Sequence, residues 1–249
     1  MSLVDELVVD DLHLTFGGLK VLNGLSLRVP KGELRCVIGP NGAGKTTFFN
    51  VVCGVLQPDR GTVSFEGRDI THLPVHRRAR AGIVRKFQVP SVYGHATVHD
   101  NVQIAAAGSL NPFSLVEHRM TRDRREMVDD VLRRTGLHPL RDTPASALSH
   151  GQKQWLEIAM VVATEPKLML LDEPTAGMTP AETQRTAELI SSAAEGVTTI
   201  VIEHDIKFLK AIGEHVTVLH GGAVLTEGSF AEVQRNETVR DVYLGRAAV

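Results

Sequence analysis

The sequence contains few cysteines and no long apolar run, and both absences limit what the protein can be. Only Cys36 and Cys53 occur among 249 residues, each in an apolar stretch and without a CxxC pattern. This placement is typical of buried free thiols rather than of a disulfide or a metal site. No segment reaches the roughly 18 to 20 apolar residues that a membrane-spanning helix needs. We therefore expect neither redox chemistry nor a transmembrane segment.

The chain also lacks a strong excess of charge of either sign. It has 27 Lys and Arg residues against 29 Asp and Glu residues, which gives a net charge of -2. Proteins that bind nucleic acid usually carry a basic excess, because their cationic side chains neutralise phosphates. The N-terminal stretch MSLVDELVVDDLHL is too acidic for a signal or transit peptide. These features predict a soluble, cytoplasmic protein that does not bind nucleic acid.

Short runs rich in Val, Ile and Leu indicate strands that are buried on both faces. The runs are ELRCVIG at 33–39, KLMLLD at 167–172 and TTIVIEH at 198–204. Such runs are typical of a parallel sheet in an α/β protein. The stretches GLSLRVPKGE and GTVSFEGRDI predict antiparallel strands near the N-terminus, and VTVLHGGAVLTEG predicts a hairpin around Gly221 and Gly222.

The pattern becomes helical in the middle of the chain. The stretch VEHRMTRDRREMVDDVLRRTGL places apolar residues at helical spacing among many charges. These apolar residues are Val116, Met120, Met127, Val131 and Leu132. We predict a single domain over 1–249, with an α/β core formed by 1–91 and 159–249 and a helical subdomain inserted at 92–158.

A glycine-rich loop follows the first predicted buried strand. The stretch GPNGAGKTT fits the phosphate-binding pattern G-x-x-x-x-G-K-[ST] and precedes the apolar helical run TFFNVVCGV. Its glycines allow successive N-H groups to face one anion, and the helix adds the positive end of its dipole. Lys45 is suited to the β- and γ-phosphates of a nucleotide, and the Thr46 hydroxyl to Mg²⁺. The predicted nucleotide-binding residues are Gly39, Pro40, Asn41, Gly42, Ala43, Gly44, Lys45, Thr46 and Thr47.

Two acidic residues stand where the second predicted buried strand ends. In LMLLDEPT, Asp172 is suited to hold Mg²⁺, and Glu173 to orient and deprotonate an attacking water. An acidic pair at a strand end often only caps a turn. Beside a phosphate-binding loop, however, a carboxylate base indicates hydrolysis rather than storage of a nucleotide.

A third segment, SHGQKQWLEI at 149–158, begins another predicted helix. After Gly151, Trp155 and Ile158 start an apolar pattern at helical spacing that also includes Ala159 and Val162. The polar start of the helix is therefore able to present N-H groups to an anion. The alternative is that Ser149 simply caps its own helix, a role compatible with anion binding.

The motifs GPNGAGKTT, LSHGQKQWLEI, LMLLDEPTAGM and VIEHD, in this order, resemble the ATP-binding subunit of ABC transporters over nearly the whole chain. The resemblance implies an ABC-type P-loop NTPase with a RecA-like parallel-sheet core, an N-terminal antiparallel β subdomain and an inserted α-helical subdomain. It also implies ATP and Mg²⁺ as ligands. In this family the signature segment, here with Ser149, Gly151 and Gln152, caps the ATP bound to the other protomer of a dimer.

The family resemblance assigns roles to further residues. Gln88 matches the Q-loop glutamine, which serves Mg²⁺ and the attacking water, and His204 matches the switch histidine near the γ-phosphate. Phe16 matches the aromatic residue that stacks on adenine, although it could also be an ordinary core residue. His150 replaces a consensus glycine and could contact phosphate, a partner or only solvent. Thr179 stands where many relatives have the D-loop aspartate.

The resemblance further predicts a subunit bound to the cytoplasmic face of the inner membrane. Its expected partners are transmembrane permease subunits, a second identical or paralogous ATPase subunit and an external solute-binding protein. The segments RKFQVP, HGQKQW and AGMT look most like the urea-transporter subunit. The prediction is therefore urea import, with branched-chain amino acid import as the alternative. A soluble ABC ATPase outside transport is a further alternative, which the absence of a coiled-coil insertion or a second cassette disfavours.

Overall fold

Strands predominate in the first part of the described chain, helices follow in its middle, and strands and helices alternate after that. The computed structural model describes residues 5–86, 92–107 and 122–244. The strands are β1 (Asp5–Phe16), β2 (Leu19–Pro30), β3 (Leu34–Ile38), β4 (Arg60–Phe65), β5 (Arg68–Asp69), β6 (Ile83–Lys86), β7 (Leu168–Asp172), β8 (Thr198–Ile202), β9 (His215–His220) and β10 (Ala223–Gly228). The α-helices are α1 (Lys45–Cys53), α2 (Val75–Arg80), α3 (Val98–Ala106), α4 (Arg122–Arg134), α5 (His150–Val162), α6 (Pro180–Ala193), α7 (Ile206–Ile212), α8 (Phe230–Arg235) and α9 (Glu237–Leu244).

A six-stranded sheet has the order β10-β9-β3-β8-β7-β6. β3 pairs in parallel with β8 and β9, and β7 pairs in parallel with β8. Every residue of β7 and β8 is buried, which explains why both strands read as continuous apolar runs. β9 and β10 are antiparallel and form the predicted hairpin around Gly221 and Gly222. The prediction of a mainly parallel α/β sheet is confirmed.

A second sheet of four strands has the order β2-β1-β4-β5 and is antiparallel. Its buried residues alternate with exposed ones, as in Leu25, Leu27 and Val29 of β2, so one face packs against the core. Both sheets and α1 contribute to one continuous apolar cluster, which includes Phe48 and Phe49 of α1. Burial on this scale anchors α1 and the loop before it.

The chain divides into two units. The first comprises Met1–Arg85, Lys167–Pro174 and Ala194–Val249 and holds both sheets. The second comprises Lys86–Pro166 and Thr175–Ala193 and contains α3 to α6. Its core is built from α3, α4 and α5 and includes Val102, Val128, Leu132, Leu156 and Ala159.

The helical unit differs in its limits from the predicted subdomain at 92–158. The predicted boundary at 158 falls inside α5, whose turns continue to Val162 because Ala159 and Val161 are buried in the same way as Leu156. α6, which was assigned to the core, also groups with the helical unit. Of the predicted helix at 116–137, the part from Arg122 to Arg134 is helical, whereas Val116 and Met120 lie outside the described residues.

Both cysteines are free and buried, as the apolar surroundings of each predicted. Burial raises the pKa of Cys36 to about 12 and that of Cys53 to about 11. Both thiols are therefore protonated and unreactive near neutral pH. Among the described residues, no helix is both long enough and apolar enough to span a membrane.

Candidate functional site

Three predicted site segments follow neighbouring strands of the six-stranded sheet. The glycine-rich loop follows β3, Asp172 ends β7, and His204 comes after β8, which lies between those two strands. The strands are parallel, so their carboxyl ends meet at one edge of the sheet. That edge is where open α/β sheets bind their ligands. The sheet order therefore brings the predicted loop, carboxylates and histidine to one place.

The glycine-rich loop leads directly into α1. Gly44 is the N-cap residue, with φ 98°, and its lack of a side chain leaves the first helical N-H groups without a side-chain acceptor. A β-carbon on Gly44 would lie 2.8 Å from the Val21 carbonyl oxygen, and one on Gly39 would collide with the Leu219 carbonyl oxygen. Glycine is therefore required at both positions by close backbone contacts. Thr46, in the first turn, is exposed.

Lys45 lies over the loop that precedes it. Its Nζ donates hydrogen bonds to the carbonyl oxygens of Gly39 at 2.7 Å and Pro40 at 3.1 Å. Burial lowers the pKa of Lys45, and the negative charges of Glu173 and Asp172 partly oppose that shift. The lysine therefore shares one electrostatic environment with both carboxylates at the end of β7.

Glu173 has a backbone conformation that side chains seldom adopt. Its φ is 46°, in the left-handed region, and its N-H donates to the Ile202 carbonyl oxygen at 2.9 Å. The Glu173 side chain is 40% exposed, and its Oε1 lies 3.7 Å from Nδ1 of His204. Strained residues of this kind concentrate at functional sites. The turn after β7 thus aims a solvent-accessible carboxylate towards the histidine that follows β8.

The signature segment lies in the helical unit, at the start of α5. Ser149 Oγ accepts a hydrogen bond from the Gln152 N-H, and Gln152 Oε1 accepts one from the Ser149 N-H. This capping box bears out the reading of Ser149 as the cap of its own helix. Gly151 is buried, and a β-carbon there would lie 2.6 Å from Glu182 Oε1. That oxygen is the end of a flexible side chain of α6, so the contact alone does not require glycine.

His150 and Thr179 connect the same part of the helical unit. Nε2 of His150 lies 3.2 Å from the Ala176 carbonyl oxygen, so the imidazole links the signature segment to the 175–179 turn. Thr179 Oγ1 accepts a hydrogen bond from the Glu182 N-H at 3.3 Å, and Thr179 donates to Glu182 Oε2 through its N-H and its hydroxyl. The threonine thereby caps α6, a role that an aspartate would also fill. This contact lies within the helical unit itself and is none of the three alternatives given for His150, which are phosphate, a partner and solvent.

Comparison with known proteins identifies the family. Residues 22–176, more than half of the chain, match the family described as ABC transporter. The chain is 36% identical to the high-affinity branched-chain amino acid transport ATP-binding protein BraF of Pseudomonas aeruginosa, over 97% of this chain and 98% of that protein. The chain belongs to the ABC transporter family. It is therefore an ABC ATPase, an enzyme that binds and hydrolyses ATP.

Two further comparisons agree with this assignment. The ABC ATPase is 40% identical to the lipopolysaccharide export system ATP-binding protein LptB of Acidithiobacillus ferridurans, over 90% of each chain. Its fold matches the ADP conformation of MJ1267, an ATP-binding cassette of an ABC transporter, with a TM-score of 0.83 at 32% identity, over 97% of this chain and 99% of that one. The predicted ABC-type fold is thereby confirmed.

The comparisons do not support the prediction of urea transport. Residues 223–249 match the family described as branched-chain amino acid ATP-binding cassette transporter, and the name of BraF specifies the same class of solute. The amino-acid alternative therefore fits these matches better. The urea prediction depended partly on the stretch RKFQVP, and most of that stretch lies outside the described residues of the ABC ATPase.

Two other predicted site residues differ in what the structure reveals. Phe16 ends β1 and is 46% exposed, so it is not an ordinary core phenylalanine. Gln88, the predicted Q-loop residue, lies outside the described residues.

Sequence reasoning missed Arg85, three positions earlier, which donates to Asp172 Oδ2 at 2.7 Å. The only sequence signal for Arg85 was a charged residue directly after the apolar pair Ile83 and Val84.

The donor set of the ABC ATPase suits Mg²⁺ bound together with a nucleotide. Within the described residues there is no cluster of three or more His, Cys, Asp or Glu side chains that would hold a metal by itself. Mg²⁺ in nucleotide sites is instead held by one or two protein oxygens together with phosphate oxygens. An exposed Thr46 hydroxyl and the Asp172 carboxylate, both near Lys45, are hard oxygen donors of that kind.

Proposed function

We propose that the first unit binds the phosphates of ATP through residues 39–47, with Lys45 as the cationic partner of the β- and γ-phosphates. Support comes from the start of α1, which offers uncapped N-H groups, and from the glycines that close backbone contacts require. Phe16 is exposed and is assigned to the adenine ring, which an aromatic side chain can stack upon. Thr46, Asp172 and Gln88 are the proposed ligands of Mg²⁺, which would neutralise phosphate charge.

Hydrolysis is assigned to Glu173, with His204 beside it. A carboxylate acting as general base must reach water, and Glu173 is partly exposed and held by the turn after β7. Glu173 accepts a proton as the water attacks the γ-phosphorus, the bond from that phosphorus to the bridging oxygen of the β-phosphate breaks, and ADP and phosphate leave. His204 and Lys45 face the charge that develops on the phosphoryl oxygens. The single observation that carries this proposal is the approach of Glu173 Oε1 to His204 Nδ1 at 3.7 Å, at the sheet edge that also holds the loop.

The active form is proposed to be a dimer. Ser149, Gly151 and Gln152 stand at the start of α5, and each protomer would present this segment to the ATP bound by the other. The capping box supports the proposal, because it fixes the first turn of α5 in a defined conformation before any ligand arrives. The second subunit is either an identical copy or a close paralogue.

We further propose that the ABC ATPase drives import of branched-chain amino acids as a peripheral subunit on the cytoplasmic face of the membrane. Its partners would be transmembrane permease subunits and an external solute-binding protein. Two observations support the solute class, the match of residues 223–249 and the similarity to BraF over nearly the whole chain. Closing and opening of the ATPase dimer would then drive the permease between its two states.

Uptake of labelled leucine and of labelled urea tests both the ATPase role and the solute. The gene is deleted and restored either as the wild-type chain or as Lys45→Ala, and uptake of each solute is measured in every strain. We expect leucine uptake to be lost on deletion and restored only by the wild-type chain. Loss of urea uptake alone would contradict the amino-acid proposal and reinstate urea. Full rescue by Lys45→Ala would contradict the role of the loop in powering transport.

A further inference from the structure

A buried arginine joins the phosphate-loop helix to the end of β7. Arg85, in β6, donates from Nη1 to Asn50 Oδ1 at 2.6 Å and from Nη2 to Asp172 Oδ2 at 2.7 Å. Its side chain is 7% exposed, and that of Asp172 is 1% exposed. The guanidinium also lies over the Phe49 ring, with Cζ 5.5 Å from the ring centre. Contacts with two different elements therefore fix this one side chain.

The chemistry of the guanidinium suits a bridge of this kind. Its planar, delocalised group donates to two acceptors in fixed directions and stacks on aromatic rings, whereas a lysine ammonium is a single point charge. Asn50 and Phe49 both belong to α1, the helix that begins at the phosphate loop. Contacts with α1 therefore fix the orientation of Arg85, and the hydrogen bond from Arg85 fixes the orientation of the Asp172 carboxylate.

A buried carboxylate needs such a partner. Transfer of an unpaired carboxylate out of water is strongly unfavourable, so a buried carboxylate is normally paired. A metal ligand must also point one oxygen at the ion, so the direction of the Asp172 carboxylate matters. The bond from Arg85 compensates the carboxylate for its lost hydration and fixes the direction in which one of its two oxygens points.

Stability alone does not account for the position of Arg85. Among the described residues, its Nε is buried without a hydrogen-bond partner, and an unsatisfied buried donor lowers stability. Arg78, another buried arginine of the same unit, donates four hydrogen bonds to backbone carbonyl oxygens. Arg78 is therefore satisfied on all three nitrogens, whereas Arg85 leaves Nε without a hydrogen bond, lies beside the Cys53 thiol and donates to Asn50 and Asp172.

We propose that Arg85 is a positioning residue of the nucleotide site. It holds the Asp172 carboxylate oriented towards the phosphate loop, and it takes its own orientation from Asn50 and Phe49. Arg85 does not contact ATP in this proposal but acts through Asp172. The inference rests on the proposed function, because it requires Asp172 to serve the Mg²⁺ ion that accompanies ATP.

The test compares ATP binding with and without Mg²⁺ in two variants that each lose a buried arginine. Calorimetry gives the Kd for ATP in excess Mg²⁺ and in EDTA for the wild-type chain, Arg85→Met and Arg78→Met. In Arg85→Met we expect the tightening by Mg²⁺ to fall about tenfold or more, the usual effect of losing a group that orients a metal ligand. The Kd in EDTA should stay at the wild-type value. Arg78→Met, measured under conditions where it is folded, should keep the wild-type ratio between the Kd values in Mg²⁺ and in EDTA, because Arg78 donates to backbone carbonyl oxygens rather than to Asp172.

Further variants keep the test decisive if Arg85→Met does not fold. Arg85→Lys retains the charge but cannot reach both acceptors in the guanidinium geometry, and Asn50→Ala removes one acceptor while the Asp172 pair remains. Each should weaken the effect of Mg²⁺ in the same direction and by less. An unchanged Mg²⁺ effect in all folded variants would overturn the positioning role.

The same experiment separates this inference from the proposed function. If wild-type binding of ATP is absent, or is unaffected by Lys45→Ala, the proposed nucleotide site itself is wrong. If the wild-type chain binds ATP with Lys45 and Mg²⁺ dependence, while Arg85→Met behaves like Arg78→Met, only the role of Arg85 is wrong.

Discussion

Glu173 is the single residue on which the proposed chemistry depends most directly. Glu173→Gln keeps the size and hydrogen-bonding capacity of the side chain but removes the base. Loss of a general base lowers the rate about 10²-fold or more, and we expect that decrease in ATP turnover. ATP affinity should be retained, because the loop and Lys45 are unchanged. Turnover is measured by phosphate release and affinity by calorimetry.

His204→Asn and Glu165→Gln provide the comparison for that prediction. His204 faces Glu173, so its variant should also lose turnover. Glu165 is another exposed glutamate with positive φ, at 51°, but it belongs to the helical unit and follows α5. Its variant should hydrolyse ATP like the wild type. Near-normal turnover of Glu173→Gln would refute its assignment as the base.

At the scale of elements, a buried arginine rather than water donates hydrogen bonds to the carbonyl oxygens at the C-terminal end of α1. Arg78, in α2, is 1% exposed and donates to the carbonyl oxygens of Val51, Val52, Thr71 and Leu73. Val51 and Val52 belong to the last turn of α1, where a cation is favoured. Arg78 thus fixes the last turn of α1, and the phosphate loop lies at the opposite end, before the first turn of the same helix.

Replacement of Arg78 by methionine should destabilise the first unit. Four carbonyl oxygens would lose the hydrogen bond from Arg78, although that of Val51 keeps a second donor, the Gly54 N-H. Each carbonyl oxygen left unsatisfied has a sizeable desolvation penalty. We expect the free energy of unfolding to fall by about 2 to 4 kcal/mol, measured by urea denaturation. The matched control is Arg77→Met, the adjacent exposed arginine of α2, which should change stability by less than about 0.5 kcal/mol. Equal effects of both variants would contradict the role given to Arg78.

For the whole molecule, the proposed mechanism requires two ATPase subunits per functional unit. With Glu173→Gln, ATP should bind without being consumed, so the closed pair should persist. We expect light scattering to give twice the monomer mass with ATP and Mg²⁺, and the monomer mass without nucleotide. Glu173→Gln combined with Lys45→Ala should remain monomeric throughout. A monomeric Glu173→Gln chain at saturating ATP would count against the homodimer and favour a paralogous partner.

The sequence predicted the elements and the loop well, because buried parallel strands and phosphate loops depend on local composition. β7 and β8 are apolar throughout, and Lys45 and Thr46 follow glycines in a fixed pattern. Arg85 and Arg78 were not predicted, since burial of an arginine depends on acceptors supplied by distant parts of the chain. The helical unit differs in its limits from the predicted subdomain for a similar reason, because α6 groups with it through tertiary packing.

The left-handed backbone at Glu173 has a consequence for how this protein can change over time. A non-glycine residue in that conformation is disfavoured by about 1 to 2 kcal/mol, so glycine or asparagine would suit the turn better. Stability and turnover therefore make opposite demands on one position. Laboratory evolution for heat resistance alone is expected to replace Glu173 early, whereas the same selection under a requirement for transport should leave it unchanged.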